Sequence, residues 1–228
     1  MAEGTPVSVP PIQLTTIDAE IYETPAGVIS IIKEIILTNN NQTVGGLSVG
    51  VELQRRTASG TDFYIRTKDS TLNQLIAYQS ELWELDLMLA TGESLRGIAT
   101  SSGIDVSLSV IQCTTNTDSD PTPLTPVTLS SAAVSDILTV DSGYVYLCKE
   151  ILACNHNTNS VNSVELIRRT AASADYRLRA SAKPTEIAKG ATEVLHLNLI
   201  LDEDEKLRAT CSSSGVDVSA SVLRLKKV

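Results

Sequence analysis

Residues 96–110, RGIATSSGIDVSLSV, align without a gap to residues 208–222, RATCSSSGVDVSASV. The match extends upstream. ELQRRTA at 52–58 returns as ELIRRTA at 165–171, and LDLMLATGESLR at 85–96 returns as LNLILDEDEKLR at 197–208. VISIIKEIIL at 28–37 aligns to YVYLCKEILA at 144–153 through the shared KEI. The offset drifts from 116 to 113 to 112 along the chain, as loop insertions do when a framework of strands stays fixed. A repeat of about a hundred residues is too long for a solenoid unit and suits a domain. The chain is therefore read as two copies of one domain, residues 12–113 and 127–228. A Pro-rich arm, 1–11, precedes the first copy, and TTNTDSDPTPLTP, 114–126, has the composition of a linker.

Each copy alternates with period two. In SELWELDLML, Trp83, Leu85, Leu87 and Leu89 share one face of a strand, with Glu84 and Asp86 on the other. The second copy repeats this with Leu195, Leu197, Leu199 and Leu201 facing in and His196 and Asn198 facing out. IDVSLSVIQ and VDVSASVLRL are β-branched and alternating, each preceded by an SSG turn. ATGE and DEDE occupy the preceding turn, and TNNNQTVGG and NHNTNS another. Seven or eight strands per copy, about 8 to 12 residues apart, predict an all-β fold: two tandem antiparallel sandwiches of jelly-roll type. Segment 70–79 is compatible with a single helical turn.

The KEI strand breaks the expected pattern. In a straight strand Val28, Ile32 and Ile36 oppose Ile29, Ile31, Ile35 and Leu37. The second copy sets Tyr144, Tyr146, Cys148 and Leu152 against Val145, Leu147 and Ile151. A sandwich strand is normally polar outside. This one is apolar on both sides, so its outward face is expected to be covered by the sister domain or by another subunit. Lys33 and Glu34, like Lys149 and Glu150, point to opposite faces unless a bulge intervenes, and a buried charge needs a partner. Arg55 or Arg56, and Arg168 or Arg169, are the candidates for the two glutamates, either inside a domain or across subunits.

Composition removes several function classes. A net charge of -9 opposes binding to nucleic acid or to anionic membranes. Hydrophobic content is 42% but aromatics only 4%, so the core is expected to be aliphatic. No stretch reaches the ~20 apolar residues of a spanning helix, and the start has no basic-then-apolar signal, so a soluble chain made in the cytosol is expected. His156 and His196 show neither metal nor triad spacing and read as surface residues. The acidic run 202–205 could offer oxygens to calcium, but the first copy has ATGE there, which favours a solvated turn. Asp105 and Asp217 are expected to cap turn amides. Phosphate loops, nucleophile elbows and zinc-helix motifs are missing. No cofactor or metal is expected, and no catalytic residue is assigned. Asn41-Gln42-Thr43 has the form of a glycosylation sequon without a secretion context. Cys148 and Cys154 lie on one strand and cannot bond to each other. Cys154 with Cys211, Cys113 with a neighbouring chain, or four buried thiols remain open.

The tandem motifs, IIKEIILTNNN or LCKEILACNHN, TGESLR or DEDEKLR, and GIDVSLSVIQ or GVDVSASVLRL, resemble those of small all-β virion proteins of tailed bacteriophages. In these an opening K-x-I-x-L-x-N strand, a G-(D/E)-x-L turn and a closing G-x-(D/V)-V-x-x-S strand recur in head-decoration, neck, collar and tail-associated subunits. The resemblance covers nearly the whole chain and transfers no catalytic residue. It implies a non-enzymatic virion subunit, made in the host cytoplasm, with other virion proteins as partners. It also implies a homo-oligomer, for instance a six- or twelve-fold ring, and no nucleic acid or membrane partner. The interface expected from the strand pattern comprises Ile29, Ile31, Lys33, Glu34 and Ile35, then Val145, Leu147, Lys149, Glu150 and Ile151, with the arginine pairs. A receptor- or glycan-binding module of a tail fibre is the alternative. It would need Tyr64, Tyr78, Trp83 or Tyr176 exposed as a platform.

Overall fold

A computed structural model describes residues 4–41, 48–68, 73–114, 119–131, 133–157, 161–179 and 186–227. The chain divides into two compact units, residues 2–115 and 116–228. Unit 1 contains β1 (Thr5–Ser8), β2 (Ile12–Leu14), β3 (Ala19–Glu23), β4 (Val28–Asn39), β5 (Val49–Arg56), β6 (Asp62–Arg66), β7 (Gln74–Leu75), β8 (Ser80–Leu89), β9 (Ser94–Ala99) and β10 (Ile104–Thr114). Unit 2 contains β11 (Ser119–Pro123), β12 (Val127–Leu129), β13 (Ser135–Thr139), β14 (Tyr144–Asn155), β15 (Asn162–Arg169), β16 (Asp175–Arg179), β17 (Glu186–Ile187), β18 (Thr192–Leu201), β19 (Lys206–Cys211) and β20 (Val216–Lys226).

Each unit is a pair of antiparallel sheets. In unit 1 one sheet runs β1-β10-β4-β8 with β2 also on β10, and the other runs β3-β9-β5-β6 with β7 also on β5. Unit 2 repeats both orders strand for strand: β11-β20-β14-β18 with β12, and β13-β19-β15-β16 with β17. Chain neighbours such as β3, β4 and β5 alternate between the two sheets. The chain thus wraps around its core as a jelly roll does. The fold is all-β and duplicated.

The segments read as arm and linker each contain a strand, β1 and β11. β1 pairs with β10 from Thr5↔Gln112 to Ser8↔Ser109, and β11 pairs with β20 from Ser119↔Leu225 to Pro123↔Ser221. Both lie at a sheet edge, where a proline's missing N–H costs nothing, so Pro121 and Pro123 are tolerated inside β11. A Thr-Asp-Pro composition reports the edge position and conceals the strand. Of segment 70–79, residues 70–72 lie outside the described residues, Asn73 has 3-10 helical geometry and Gln74–Leu75 forms β7.

A bulge resolves the KEI pattern. Along β10, Val110 pairs with Ile32 and Ser109 with Glu34, so Lys33 is the extra residue. Along β20, Val222 pairs with Cys148 and Ser221 with Glu150, so Lys149 occupies the same place. A bulge resets the alternation of its strand. Ile32, Ile35 and Leu37 all face the core at 0% exposure, while Ile36 turns outward. In unit 2 Tyr146, Cys148, Ile151 and Ala153 join the core cluster, and Leu152 does not. The straight-strand assignment of Ile35, Ile36, Leu37, Ile151 and Leu152 is therefore corrected, and Ile35 and Ile151 are core residues instead of interface candidates. Lys33 and Glu34 share the outward face, as do Lys149 and Glu150.

The cores are aliphatic, as composition requires. In unit 2 Leu129, Val164, Leu166, Leu207, Val216, Val218 and Val222 pack with the inward residues of β14 and β18. Leu195, Leu197, Leu199 and Leu201 face that core, as alternation predicts. The SSG turns depend on Gly103 and Gly215, at φ 98 and 100, a region that penalises a side chain.

Candidate assembly surface

The twinned arginines are anchored inside their own units. Arg55 is buried, and its Nε and Nη2 donate to Glu93 Oε2 at 3.1 and 2.6 Å. The same carboxylate accepts the Ala90 amide at 2.8 Å, so it closes the β8–β9 turn while neutralising the guanidinium. Burial pulls the Arg55 pKa down, and Glu93 opposes that. Unit 2 repeats the device: Arg168 donates to Glu205 at 3.3 and 2.6 Å, and Glu205 accepts the Asp202 amide at 2.8 Å. Arg56 makes a two-pronged pair with Asp62 at 2.7 Å, which raises its pKa, and Arg169 reaches Asp175 at 3.4 Å. None of the four arginines meets Glu34 or Glu150 in these pairs. One signal for the true partner was present in the sequence: Glu93 and Glu205 are the acidic position that ATGE and DEDE share.

The bulge residues bond across to β8 and β18. Lys33 pairs with Asp86, and Lys149 donates to Asn198 Oδ1 at 3.1 Å. Ser109 donates to Glu34 at 2.7 Å. Glu150 is buried, with His196 Nδ1 3.4 Å from its carboxylate. A second buried guanidinium, Arg66, donates to the Val51 and Asn73 carbonyls at 3.1 and 2.8 Å and to Glu81 at 2.7 Å. Its twin, Arg179, donates to Glu193 at 2.7 Å. The motif asparagines are buried as well: Asn39 donates to the Leu75 carbonyl at 2.8 Å and Asn155 to the Ile187 carbonyl at 3.0 Å, tying β4 to β7 and β14 to β17.

The recurrent aspartates take side-chain donors where turn amides were expected. Asp105 accepts Gln13 at 3.1 Å and also Asn40. In unit 2 Asp217 accepts the Thr128 hydroxyl at 2.5 Å, and His156, the twin of Asn40, brings Nε2 to 3.5 Å. That contact raises the His156 pKa above its ordinary value, so His156 is more than a bare surface histidine. A shallow recess of about 490 Å³ opens beside it, lined by Thr128, Leu129, Ser130, His156, Asn157, Ser214 and Gly215. The 202–205 run is an ion-paired turn: Lys227 lies 2.6 Å from Asp202 and 3.5 Å from Glu203, and Glu205 points inward to Arg168. Among the described residues no three His, Cys, Asp or Glu side chains converge as a metal site.

All four cysteines are buried and none is disulfide-bonded. The Cys154–Cys211 pairing is therefore not formed. Cys211 points into the core from β19, whereas Cys154 follows inward-facing Ala153 and so lies on the outward side of β14. Burial pushes the Cys148 thiol up to about 12. Of the aromatics, Trp83 is engaged within its own unit: its Nε1 donates to Glu81 at 2.5 Å, and the Arg66 guanidinium lies over the indole, 5.4 Å from the ring centroid. Tyr78 in unit 1 and Tyr176 in unit 2 are exposed, and the sequon's Gln42 and Thr43 lie outside the described residues.

Of the exposed large hydrophobic residues described, Ile36, Leu82 and Ile200 lie on the outward faces of the β4 and β14 sheets, Tyr176 and Leu178 lie on β16, and Ile17, Ile76, Tyr78, Val134 and Val161 lie between strands. Ile36 and Leu82 are cross-strand partners in unit 1, 38% and 53% exposed. In unit 2 Ile200 is 59% exposed and pairs with half-buried Leu147, which pairs in turn with half-buried Leu223. Of the interface expected from sequence, Ile29 is buried, and Ile31, Lys33, Glu34, Val145, Leu147 and Lys149 are half-buried on these faces.

No protein-family model and no curated protein matches the sequence. Among solved structures, the chain is similar to the MCP of Sulfolobus Turreted Icosahedral Virus at 11% identity, covering 98% of this chain and 97% of that one with a TM-score of 0.39. It is also similar to a peptide-N(4)-(N-acetyl-β-D-glucosaminyl) asparagine amidase at 10% identity, 99% and 97% coverage and TM-score 0.42. A third similarity is to the CBM22 tandem domain of a Paenibacillus barcinonensis protein, at 8% identity, 97% and 91% coverage and TM-score 0.27. Likeness this distant assigns neither role nor partner.

Proposed function

We propose that this chain is a non-enzymatic structural subunit of a virion, assembling through the outward faces of its two jelly rolls. One observation carries the reading. The recurring Arg55–Glu93 and Arg168–Glu205 pairs close inside their own units, while Ile36 and Leu82 in unit 1 and Ile200 in unit 2 stand exposed on the outward sheets. Contiguous exposed apolar surface of this kind marks a protein contact. Jelly rolls also serve as lectin and cupin domains, so topology by itself does not choose among roles. The motif resemblance to tailed-bacteriophage virion proteins favours a particle, with a position on the capsid surface, neck, collar or tail. In that setting the partners are further copies and other virion proteins, and the protein resides in the virion.

Native mass spectrometry of the purified chain, with and without reductant, tests this. A discrete oligomer unaffected by reductant is the expected result, because the cysteines are buried thiols. A monomer at all accessible concentrations overturns it.

A further inference from the structure

Because the units are twins, each serves as the other's control. Position 190 in unit 2 is a glycine at φ 69, and its counterpart in unit 1 is Tyr78 at φ 64. A tyrosine in the left-handed region is strained, and strain of this kind persists where something else rewards it. The Tyr78 amide donates to the Asn39 carbonyl at 2.8 Å, as that of Gly190 does to Asn155 at 2.7 Å, but the Tyr78 side chain stands 71% exposed. Ile36 and Leu82 are exposed too. The unit 2 counterpart of Ile36, Leu152, is buried, and that of Leu82, Val194, is half-buried. The opposite end of the face shows the reverse: Ile200 is exposed, and its unit 1 counterpart, Met88, is buried. The exposed end of the sheet in each unit therefore corresponds to positions that are buried or half-buried in the other.

Charge differs in the same sense. Beside Ile36 and Leu82, Glu34 stands directly opposite Glu84, and the nearby Lys33 is neutralised by Asp86. Beside Ile200 the twin positions hold His196 for Glu84 and Asn198 for Asp86, so the Lys149 ammonium meets an amide oxygen in place of a carboxylate. Glu150 sits buried behind His196. Unit 1 therefore sets Glu34 and Glu84 beside its patch, whereas unit 2 sets Lys149 near Ile200, and exposed Asp202, two residues on, is paired with Lys227. Contact between two unit 1 patches would set carboxylate against carboxylate, which discriminates against that pairing.

We propose that the Ile36–Tyr78–Leu82 patch of one copy docks on the Leu147–Ile200–Leu223 patch of a second copy, with Glu84 and Glu34 facing Lys149. This rests on the assembly reading above and gives it a geometry. The contact is heterologous, so it propagates head to tail, giving a ring if its rotation closes and a filament if it does not.

Sedimentation velocity of full-length variants tests it. Leu82→Asp retains a sound unit 2 patch, and Ile200→Asp retains a sound unit 1 patch; both residues are more than half exposed, so folding is spared. Each variant alone is expected to run as a monomer, while an equimolar mixture forms a heterodimer and stops there. Self-association of either variant alone, or no heterodimer in the mixture while the wild type assembles, overturns the head-to-tail contact and leaves the assembly reading standing. A monomeric wild type removes both. Tyr78→Gly, which installs the twin's own residue, is expected to keep the fold and weaken association. Glu84→Lys is expected to weaken it roughly tenfold, with recovery on adding Lys149→Glu. Two losses that simply add, without recovery, contradict the proposed facing of those charges.

Discussion

Arg55 and Glu93 form a buried ion pair, Nη2 to Oε2 at 2.6 Å, in which the carboxylate also holds the Ala90 amide. Arg168 and Glu205 reproduce it in unit 2, with Arg168 about one-third exposed. Removing one partner from a buried pair leaves an uncompensated charge, which typically costs about 3–5 kcal/mol. Glu93→Ala should therefore destabilise unit 1 by about that much in urea unfolding. Glu205→Ala should cost less, about 1–3 kcal/mol, because water reaches Arg168. Equal and negligible losses would show that these glutamates do not hold the turn.

The bulge at Lys33 makes neighbouring isoleucines unequal. Ile35 is wholly buried and Ile36 is 38% exposed. Ile35→Ala should cost about 2–5 kcal/mol through the cavity it leaves, and Ile36→Ala under about 1 kcal/mol in the monomer. The reverse ranking would mean that the strand runs straight, with no extra residue.

The His156–Asp217 contact has a defined pH signature. The folded-state pKa of His156 is raised by Asp217, so the native state binds the proton more tightly than the unfolded chain. The stabilisation is fully present below the ordinary histidine pKa and is lost as pH rises through the raised value. His156→Asn, which installs the residue of unit 1, should therefore lose stability relative to the wild type in mildly acidic buffer and approach it in alkaline buffer. Thermal melts across that range check this. A stability difference independent of pH contradicts the contact.

Thiol reactivity follows from burial. Cys148 is pushed up to about 12 by burial, Cys211 is raised for the same reason, and all four thiols are buried. The thiolate is the nucleophile. Alkylation should be slow on the native chain and complete after denaturation without reductant. A pair that reacts only after reduction would reveal a disulfide.

The duplication, the all-β class and the faces of β8 and β18 were legible because they rest on local alternation, which needs no knowledge of partners. What failed depended on who sits beside whom. A bulge is a disagreement between adjacent strands, and nothing in VISIIKEIIL alone says that β10 omits a partner for Lys33. The arginine partners follow from β5 pairing with β9, which brings Arg55 opposite Leu95, close to Glu93. That topology was invisible, although the Glu shared by the two turns marked the partner. Edge strands β1 and β11 were misread because proline and threonine signal loops everywhere except at an edge. Tyr78 carried no signal until its backbone could be compared with that of Gly190.

Hydroxyl-radical footprinting of the wild type across a dilution series bears most directly on the assembly faces. Ile36, Leu82 and Ile200 should be shielded at high concentration and become reactive together as the sample is diluted to monomer. Their side chains reacting equally at every concentration, in a sample shown to be assembled, would contradict the account.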